Sequence, residues 1–264
     1  LPGPEAADLA LLLEAAEGAG AIARRHFRKG GRIWEKGDGQ GPVTEADLAV
    51  NDHLRRVLRA GRPGWGWLSE EDAALDDPAR LAAETVFIVD PIDGTRAFAA
   101  GETGFAHALA VVRAGVPVAA VVHLPLRALT YAATRGGGAW LNGRPIAPSS
   151  RAEPDGARVL TARTSLDPAL WPGGLPALER HFRPSLAWRL ALVAEGAFDA
   201  AFSHRPTWDW DIAAASLIAA EAGARVTDAA GAPLRFNTAA AQNSGVLAAP
   251  PMLHAALRRR LSPR

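Results

Sequence analysis

Four consecutive apolar residues, Val86-Phe87-Ile88-Val89, run straight into Asp90-Pro91-Ile92-Asp93-Gly94-Thr95. A short, wholly apolar run with β-branched residues and no polar alternation predicts a strand covered on both faces. Such a strand belongs inside a mixed arrangement of helices and sheets, and the carboxylates of Asp90 and Asp93 fall at its C-terminal end, where ligands of α/β folds collect. Two crowded carboxylates repel, and without a cation one of them is driven to protonate. A hard divalent ion relieves this, and Mg²⁺ favours a few carboxylates together with water and substrate phosphate. The simpler reading is that both aspartates cap a turn. A covalent aspartyl-phosphate route is disfavoured, because its signature needs carboxylates two residues apart before Gly-Thr and position 91 is proline.

The chain of 264 residues, nearly half of them hydrophobic, is long enough to bury a substantial core. Basic and acidic residues number 29 and 28, so nothing in the net charge of +1 argues for a nucleic-acid polymer or an anionic membrane. No apolar run approaches the roughly 20 residues that span a bilayer. Cysteine is absent, which excludes disulfides, thiolate metal sites and cysteine nucleophiles together. The expectation is a soluble, cytoplasmic protein.

Leu9, Leu13, Ala16, Gly20, Ala23 and Phe27 recur at helical spacing and predict an opening helix that stops at Lys29-Gly30-Gly31. Residues 36–42 read as a polar loop. Thr44-Glu45-Ala46-Asp47 reads as a helix start, with Leu48, Leu54 and Leu58 on the buried side. Strand-like segments follow at 108–112, 116–122 and 128–133. From about residue 157 strands at 158–162, 198–202, 224–227 and 246–249 alternate with helices at 168–181, 186–195, 212–222 and 252–261. The pattern suggests two domains in firm contact that change over near residue 150.

Three further acidic clusters stand out. Glu70-Glu71-Asp72 reads as a solvated loop, Asp47 as a capping residue, and Asp211 as a complement to a helix dipole. Each has that structural reading and a functional one.

Taken together, Val43-Thr44-Glu45-Ala46-Asp47, Ser69-Glu70-Glu71, Asp90-Pro91-Ile92-Asp93-Gly94-Thr95 and Trp210-Asp211-Ile212-Ala213-Ala214 resemble the inositol monophosphatase superfamily in order and spacing. That superfamily includes fructose-1,6-bisphosphatases and nucleotidases that remove the 3′-phosphate of 3′-phosphoadenosine 5′-phosphate. Gly138-Ala139-Trp140 before the Asn142-Gly143 turn, and Glu221-Ala222-Gly223-Ala224, are similar to it as well. The resemblance covers about residues 8 to 250. It implies a layered α-β-α-β-α sandwich, with an N-terminal α+β domain (1–150) carrying most metal ligands and a C-terminal α/β domain (151–264) supplying Asp211 and the substrate wall. It also implies two or three Mg²⁺ ions. Glu70, Asp90 and the Ile92 carbonyl would hold the first; Asp90, Asp93 and Asp211 the second; Asp47, through water, and Glu70 a third. Gly94 and Thr95 would bind phosphate through backbone N–H groups, with Glu70 and Thr95 orienting a metal-activated water or accepting its proton. Asp209 competes with Asp211 for the ligand position, and the small-residue helix that follows favours Asp211. A homodimer and lithium sensitivity are implied too.

Other chemistries lack support: the seven histidines are scattered without a zinc pair, and no Walker loop is present. For the substrate, His204 stands where inositol-specific members carry an acidic residue, which puts an inositol contact in doubt. Arg96, Arg163 and Arg205 are placed to meet a second phosphate, and Asp93 to contact the substrate. The expectation is a Mg²⁺-dependent phosphomonoesterase leaning to 3′(2′),5′-bisphosphate nucleotides. Inositol 1-phosphate or fructose 1,6-bisphosphate is the alternative, and a regulatory binding protein on the same fold is the non-enzymatic one.

Overall fold

The computed structural model describes residues 4–28, 32–35, 42–72 and 75–261. The expected helix stop at Lys29-Gly30-Gly31 lies outside these, as does residues 36–41 of the polar loop. Two helices open the chain, α1 (Pro4–His26) and α2 (Glu45–Gly61), separated by a small antiparallel pair of β1 (Ile33–Glu35) and β2 (Pro42–Thr44). A seven-stranded sheet follows in simple sequence order: β3 (Gly66–Ser69), β4 (Thr85–Asp93), β5 (Ala106–Arg113), β6 (Val116–Leu124), β7 (Leu129–Thr134), β8 (Ala139–Leu141) and β9 (Arg144–Pro145). Only the β3–β4 pair is parallel, its crossover carrying the short helix α3 (Pro78–Ala82).

The second sheet contains β10 (Arg158–Leu160), β11 (Glu179–His181), β12 (Ala200–Ser203), β14 (Arg225–Thr227) and β16 (Val246–Ala249), ordered β11-β10-β12-β16-β14. The two-residue strands β13 (Thr207–Trp208) and β15 (Gln242–Asn243) pair beside it. Helices α5 (Leu186–Ala194) and α6 (Asp209–Glu221) lie between the two sheets and touch strands of both. Helix α7 (Pro251–Arg260) covers the outer face of the second sheet. The layers are therefore α1/α2, seven strands, α5/α6, five strands and α7, an α-β-α-β-α sandwich.

Three apolar clusters fill the gaps. Leu12, Ala15, Leu54 and Phe105 sit among those under α1 and α2, Leu190, Ile212, Ile218 and Val122 in the middle layer, and Val159, Phe202 and Leu253 under α7. Alanine supplies much of the middle layer, with Ala213, Ala214 and Ala215 all buried, which lets α6 lie close to the sheet. The run Val86–Val89 is buried on both faces, as the absence of alternation predicts.

Several expectations need correction. Residues 168–181 do not form one helix: two 3₁₀ turns, Arg163–Leu166 and Pro168–Leu170, lead to the strand β11. Pro172-Gly173-Gly174 and Pro176 explain the break, since proline removes a helical donor and glycine adds backbone entropy. Leu48 is 39% exposed rather than buried, and Leu13 is 37% exposed. Of the expected α1 stripe Leu13 alone faces out: Ala16, Gly20 and Ala23 are buried, Leu9 and Phe27 pack on the same core, and Leu12, Ala15 and Ala19 join them there. Helix α6 begins at Asp209, three residues before the expected 212.

Candidate metal centre and active site

Parallel pairing of β3 with β4 sets the first part of the site. Ser69 lies opposite Val89, and the Glu70 backbone N–H donates to the Val89 carbonyl at 3.3 Å, so the chain leaving β3 carries Glu70 beside Asp90. The segment is tied down from α2: Ser69 Oγ donates to Asn51 Oδ1 (2.7 Å), while Asn51 Nδ2 and Trp67 Nε1 donate to Asp72 Oδ2 at 2.8 and 3.0 Å. On the other side, the β4–β5 register shifts between Asp90 and Asp93, and this bulge re-aims both carboxylates. His107 on β5 hydrogen-bonds through Nδ1 to the Pro91 carbonyl within the bulge. Burial pushes the His107 ring down to about 3, so it stays neutral and Nδ1 donates.

Gly94 follows with φ 102° and ψ 36°, a conformation costly for any residue with a Cβ, and turns the chain into the short helix α4 (Thr95–Ala99). Thr95 Oγ1 lies 3.1 Å from both Asp47 Oδ1 and the Ile92 carbonyl, two acceptors for one hydroxyl proton. Asp47 closes the capping box of α2, accepting the Thr44 N–H at 2.9 Å and the Thr44 hydroxyl. Capping and site placement are thus one arrangement, because the cap holds the carboxylate that faces Thr95.

Asp93 is held from the middle layer. Its carboxylate accepts Ser185 Oγ (2.6 Å) and the backbone N–H groups of Ala187 (2.7 Å) and Leu186 (3.2 Å), at the N-terminus of α5. Asp211 enters from the first turn of α6, and its carboxylate lies with those of Asp90 and Asp93 so that one oxygen from each falls within 4.8 Å of the others. Asp209 points elsewhere, accepting the Asn237 N–H (2.8 Å) and Asn243 Nδ2 (3.0 Å).

Burial dominates the electrostatics. It raises the Asp90 and Asp211 carboxyls well above the ordinary carboxylate range, and neighbouring Glu70, Asp93 and Asp47 add repulsion at Asp90. Asp93 is pushed up to about 6 by burial, against the hydrogen bonds from Ser185, Ala187 and Leu186. Asp47 is raised by burial as well. Asp90 Oδ1 is buried with no hydrogen-bond partner, a costly state for a carboxylate oxygen. An all-oxygen donor set, mutual repulsion and an orphaned inward oxygen fit a hard divalent cation such as Mg²⁺.

A cleft of about 550 Å³ lies beside the cluster, lined by Glu70 and by Gly94 and Thr95, which follow Asp93 directly, and further out by Arg96, Phe182 and Arg189. Of the basic residues expected near substrate, Arg96 lines it and Arg163 and Arg205 do not. His204 is buried in edge-on contact with Trp171 and Phe202 and does not line it either.

The inositol monophosphatase family model matches residues 7–263. The chain belongs to that family. Among its relatives, the histidinol-phosphatase of Mycobacterium tuberculosis is 33% identical over 257 residues, covering 91% of this chain and 94% of that protein. A 3′(2′),5′-bisphosphate nucleotidase of Aggregatibacter actinomycetemcomitans is 29% identical over 243 residues, 86% of each chain. The crystal structure of the extragenic suppressor protein suhB from Bartonella henselae superposes with a TM-score of 0.80 at 26% identity, over 96% of this chain and 97% of that one.

The family match leaves unstated several residues that the structure brings to the site and that sequence reasoning missed. Ser185 carried a usable signal, a Ser before an apolar helix, which is the N-cap pattern. His107 and Asn51 carried none, since each acts through a partner remote in sequence, and Asp72 stood out as the end of an acidic run without showing that it accepts from Asn51 and Trp67. Phe182 was hidden because the segment before it read as helix, and Arg189 because an arginine within an expected helix gives no site signal of its own.

Proposed function

We propose that this member of the inositol monophosphatase family is a Mg²⁺-dependent phosphomonoesterase for small phosphate esters. The convergence of Asp90, Asp93 and Asp211 beside a cleft carries the reading. Glu70, Asp90, the Ile92 carbonyl, Asp93 and Asp211 would hold two ions, with Asp47 and Glu70 serving a third. Bound there, Mg²⁺ would neutralise the carboxylates and the phosphoryl oxygens and bring the pKa of water toward neutrality.

The chain's own groups do the rest. Backbone N–H groups of Gly94 and Thr95 orient the phosphate. Glu70 and Thr95 Oγ1 hold the attacking water, Thr95 accepting its proton on a lone pair while donating its own to Asp47. Burial that raises the Asp47 carboxyl suits it to receive that proton. The ester P–O bond breaks, the leaving oxygen takes a proton from solvent water, Asp47 returns its proton to solvent, and inorganic phosphate remains.

The substrate reading leans to 3′(2′),5′-bisphosphate nucleotides. Arg96 at the cleft and Arg28, Arg127 and Arg183 around the adjoining hollow favour an ester with a second anionic group, and the bisphosphate nucleotidase relative supports the same class. The histidinol-phosphatase relative favours a second reading, the monophosphate of an imidazole alcohol. A cytoplasmic location, a homodimer and lithium sensitivity belong to the same proposal. Among the described residues no helix is long and apolar enough to cross a membrane. Phosphate release from adenosine 3′,5′-bisphosphate, histidinol phosphate, inositol 1-phosphate and fructose 1,6-bisphosphate, with Mg²⁺, ranks these substrates directly. Light scattering and a pull-down test the dimer and the regulatory alternative.

A further inference from the structure

Phe182 is an aromatic residue left 50% exposed at the mouth of the candidate site. It lines both the cleft that holds Gly94 and Thr95 and a second hollow of about 780 Å³ that contains Arg28, Arg127 and Arg183. One face of its ring is covered by the Arg189 guanidinium, 4.3 Å from the ring centroid. Arg189 is itself fixed, donating from Nε to the Arg183 carbonyl (2.5 Å) and from a terminal nitrogen to the Pro184 carbonyl (3.1 Å). The loop bearing Phe182 is therefore clamped to α5 rather than free to fold its ring into the core. Exposure of a large aromatic is unremarkable when scattered on a surface; beside an anion-binding turn, and backed by a cation, it forms a platform for a flat π-system.

We infer that the leaving group of the substrate carries a flat aromatic ring that stacks on the open face of Phe182, with a second anionic group directed to the hollow of Arg127 and Arg183. The inference rests on the phosphomonoesterase reading and adds to it the residue that selects the ester. Placement supports it: a phosphate at Gly94-Thr95 and a ring on Phe182 occupy one continuous cleft. Among the described residues that line the outer hollow, three are arginines and one, Glu102, is a carboxylate, so a negative group is favoured. Arg189 is a positioning residue in this scheme, and Phe182 and Arg127 contact substrate.

Four esters separate the two features: adenosine 3′,5′-bisphosphate has ring and second anion, adenosine 2′-monophosphate the ring alone, fructose 1,6-bisphosphate the anion alone, and glycerol 2-phosphate neither. For Phe182→Ala, KM is expected to rise about tenfold for both adenosine esters, the scale of one lost stacking contact. The other two esters should stay within about twofold of wild type, and Phe182→Tyr should restore the adenosine esters. Arg127→Gln should raise KM for the two bisphosphates only. Equal effects of Phe182→Ala on all four esters, or none on any, would overturn the inference while leaving the phosphomonoesterase reading intact. No Mg²⁺-dependent release from any ester by the wild-type protein would overturn both.

Discussion

Asp90 concentrates the conflict between stability and function in one side chain. It is fully buried among like charges, with one carboxylate oxygen lacking any partner. Its raised pKa means that the folded protein holds this proton more tightly than the unfolded chain does. The stabilising contribution is therefore complete below the ordinary carboxylate range and is lost as pH rises through the folded-state value. Asp211 behaves alike, and Asp93 loses its share through about pH 6. Without metal, the protein is expected to be less stable at pH 8 than at pH 5.5 in urea unfolding with chelator present, and Mg²⁺ should remove most of the difference. Asp90→Asn is expected to gain about 1–2 kcal/mol at pH 8 without metal while losing phosphatase activity. The two neighbouring aspartates of α6 part company in the same way. Asp211→Asn should abolish activity. Asp209→Asn should keep it but cost about 1–3 kcal/mol, because Asp209 accepts the Asn237 N–H and Asn243 Nδ2. Loss of activity in Asp209→Asn at undiminished stability would reverse the assignment.

Among the elements, α5 shows how a helix end organises the site. Ser185 both caps the helix, accepting the Trp188 N–H at 2.9 Å, and donates to Asp93. Ser185→Ala is therefore expected to lower unfolding stability by about 1 kcal/mol, the usual cost of a lost cap. It should also weaken Mg²⁺ activation, seen as a higher metal concentration for half-maximal rate. The strand at 86–89 and the capped start of α2 were legible in the sequence because apolar runs and capping boxes are local signals. The strand Glu179–His181 was not: residues 168–181 read as one helix despite Pro172-Gly173-Gly174 and Pro176, and the strand's pairing with β10 is remote in sequence. Within the site, Asp90 and Asp93 are legible as a pair on one strand. Their meeting with Asp211 depends on a helix more than a hundred residues away, and only motif resemblance signalled it. Both Asp209 and Asp211 lie in the first turn of α6; the small-residue run after Asp211 already favoured it in the sequence, and the structure brings Asp211 to Asp90 and Asp93.

For the whole molecule, the shared middle layer decides how the protein holds together. Helices α5 and α6 bury one face against β4, β5 and β6 and another against strands of the second sheet, so neither sheet has a complete core alone. Unfolding is expected to be one cooperative transition, with tryptophan fluorescence and far-UV circular dichroism giving the same midpoint. A fragment ending at residue 150 should lack fixed tertiary structure by near-UV dichroism; a well-folded fragment would show that the first sheet does not need α6. The same layer delivers Asp211 to Asp90 and Asp93, which makes the acidic cluster a product of layer assembly. The net charge of +1 thus averages over an acidic centre and an arginine-lined approach. Phosphate release from adenosine 3′,5′-bisphosphate, measured with Mg²⁺ and again with excess chelator, tests this most directly. Release with Mg²⁺, restored by adding the ion back and absent in Asp90→Asn, is the expected result. Release unchanged by chelator, or retained in Asp90→Asn, would contradict it.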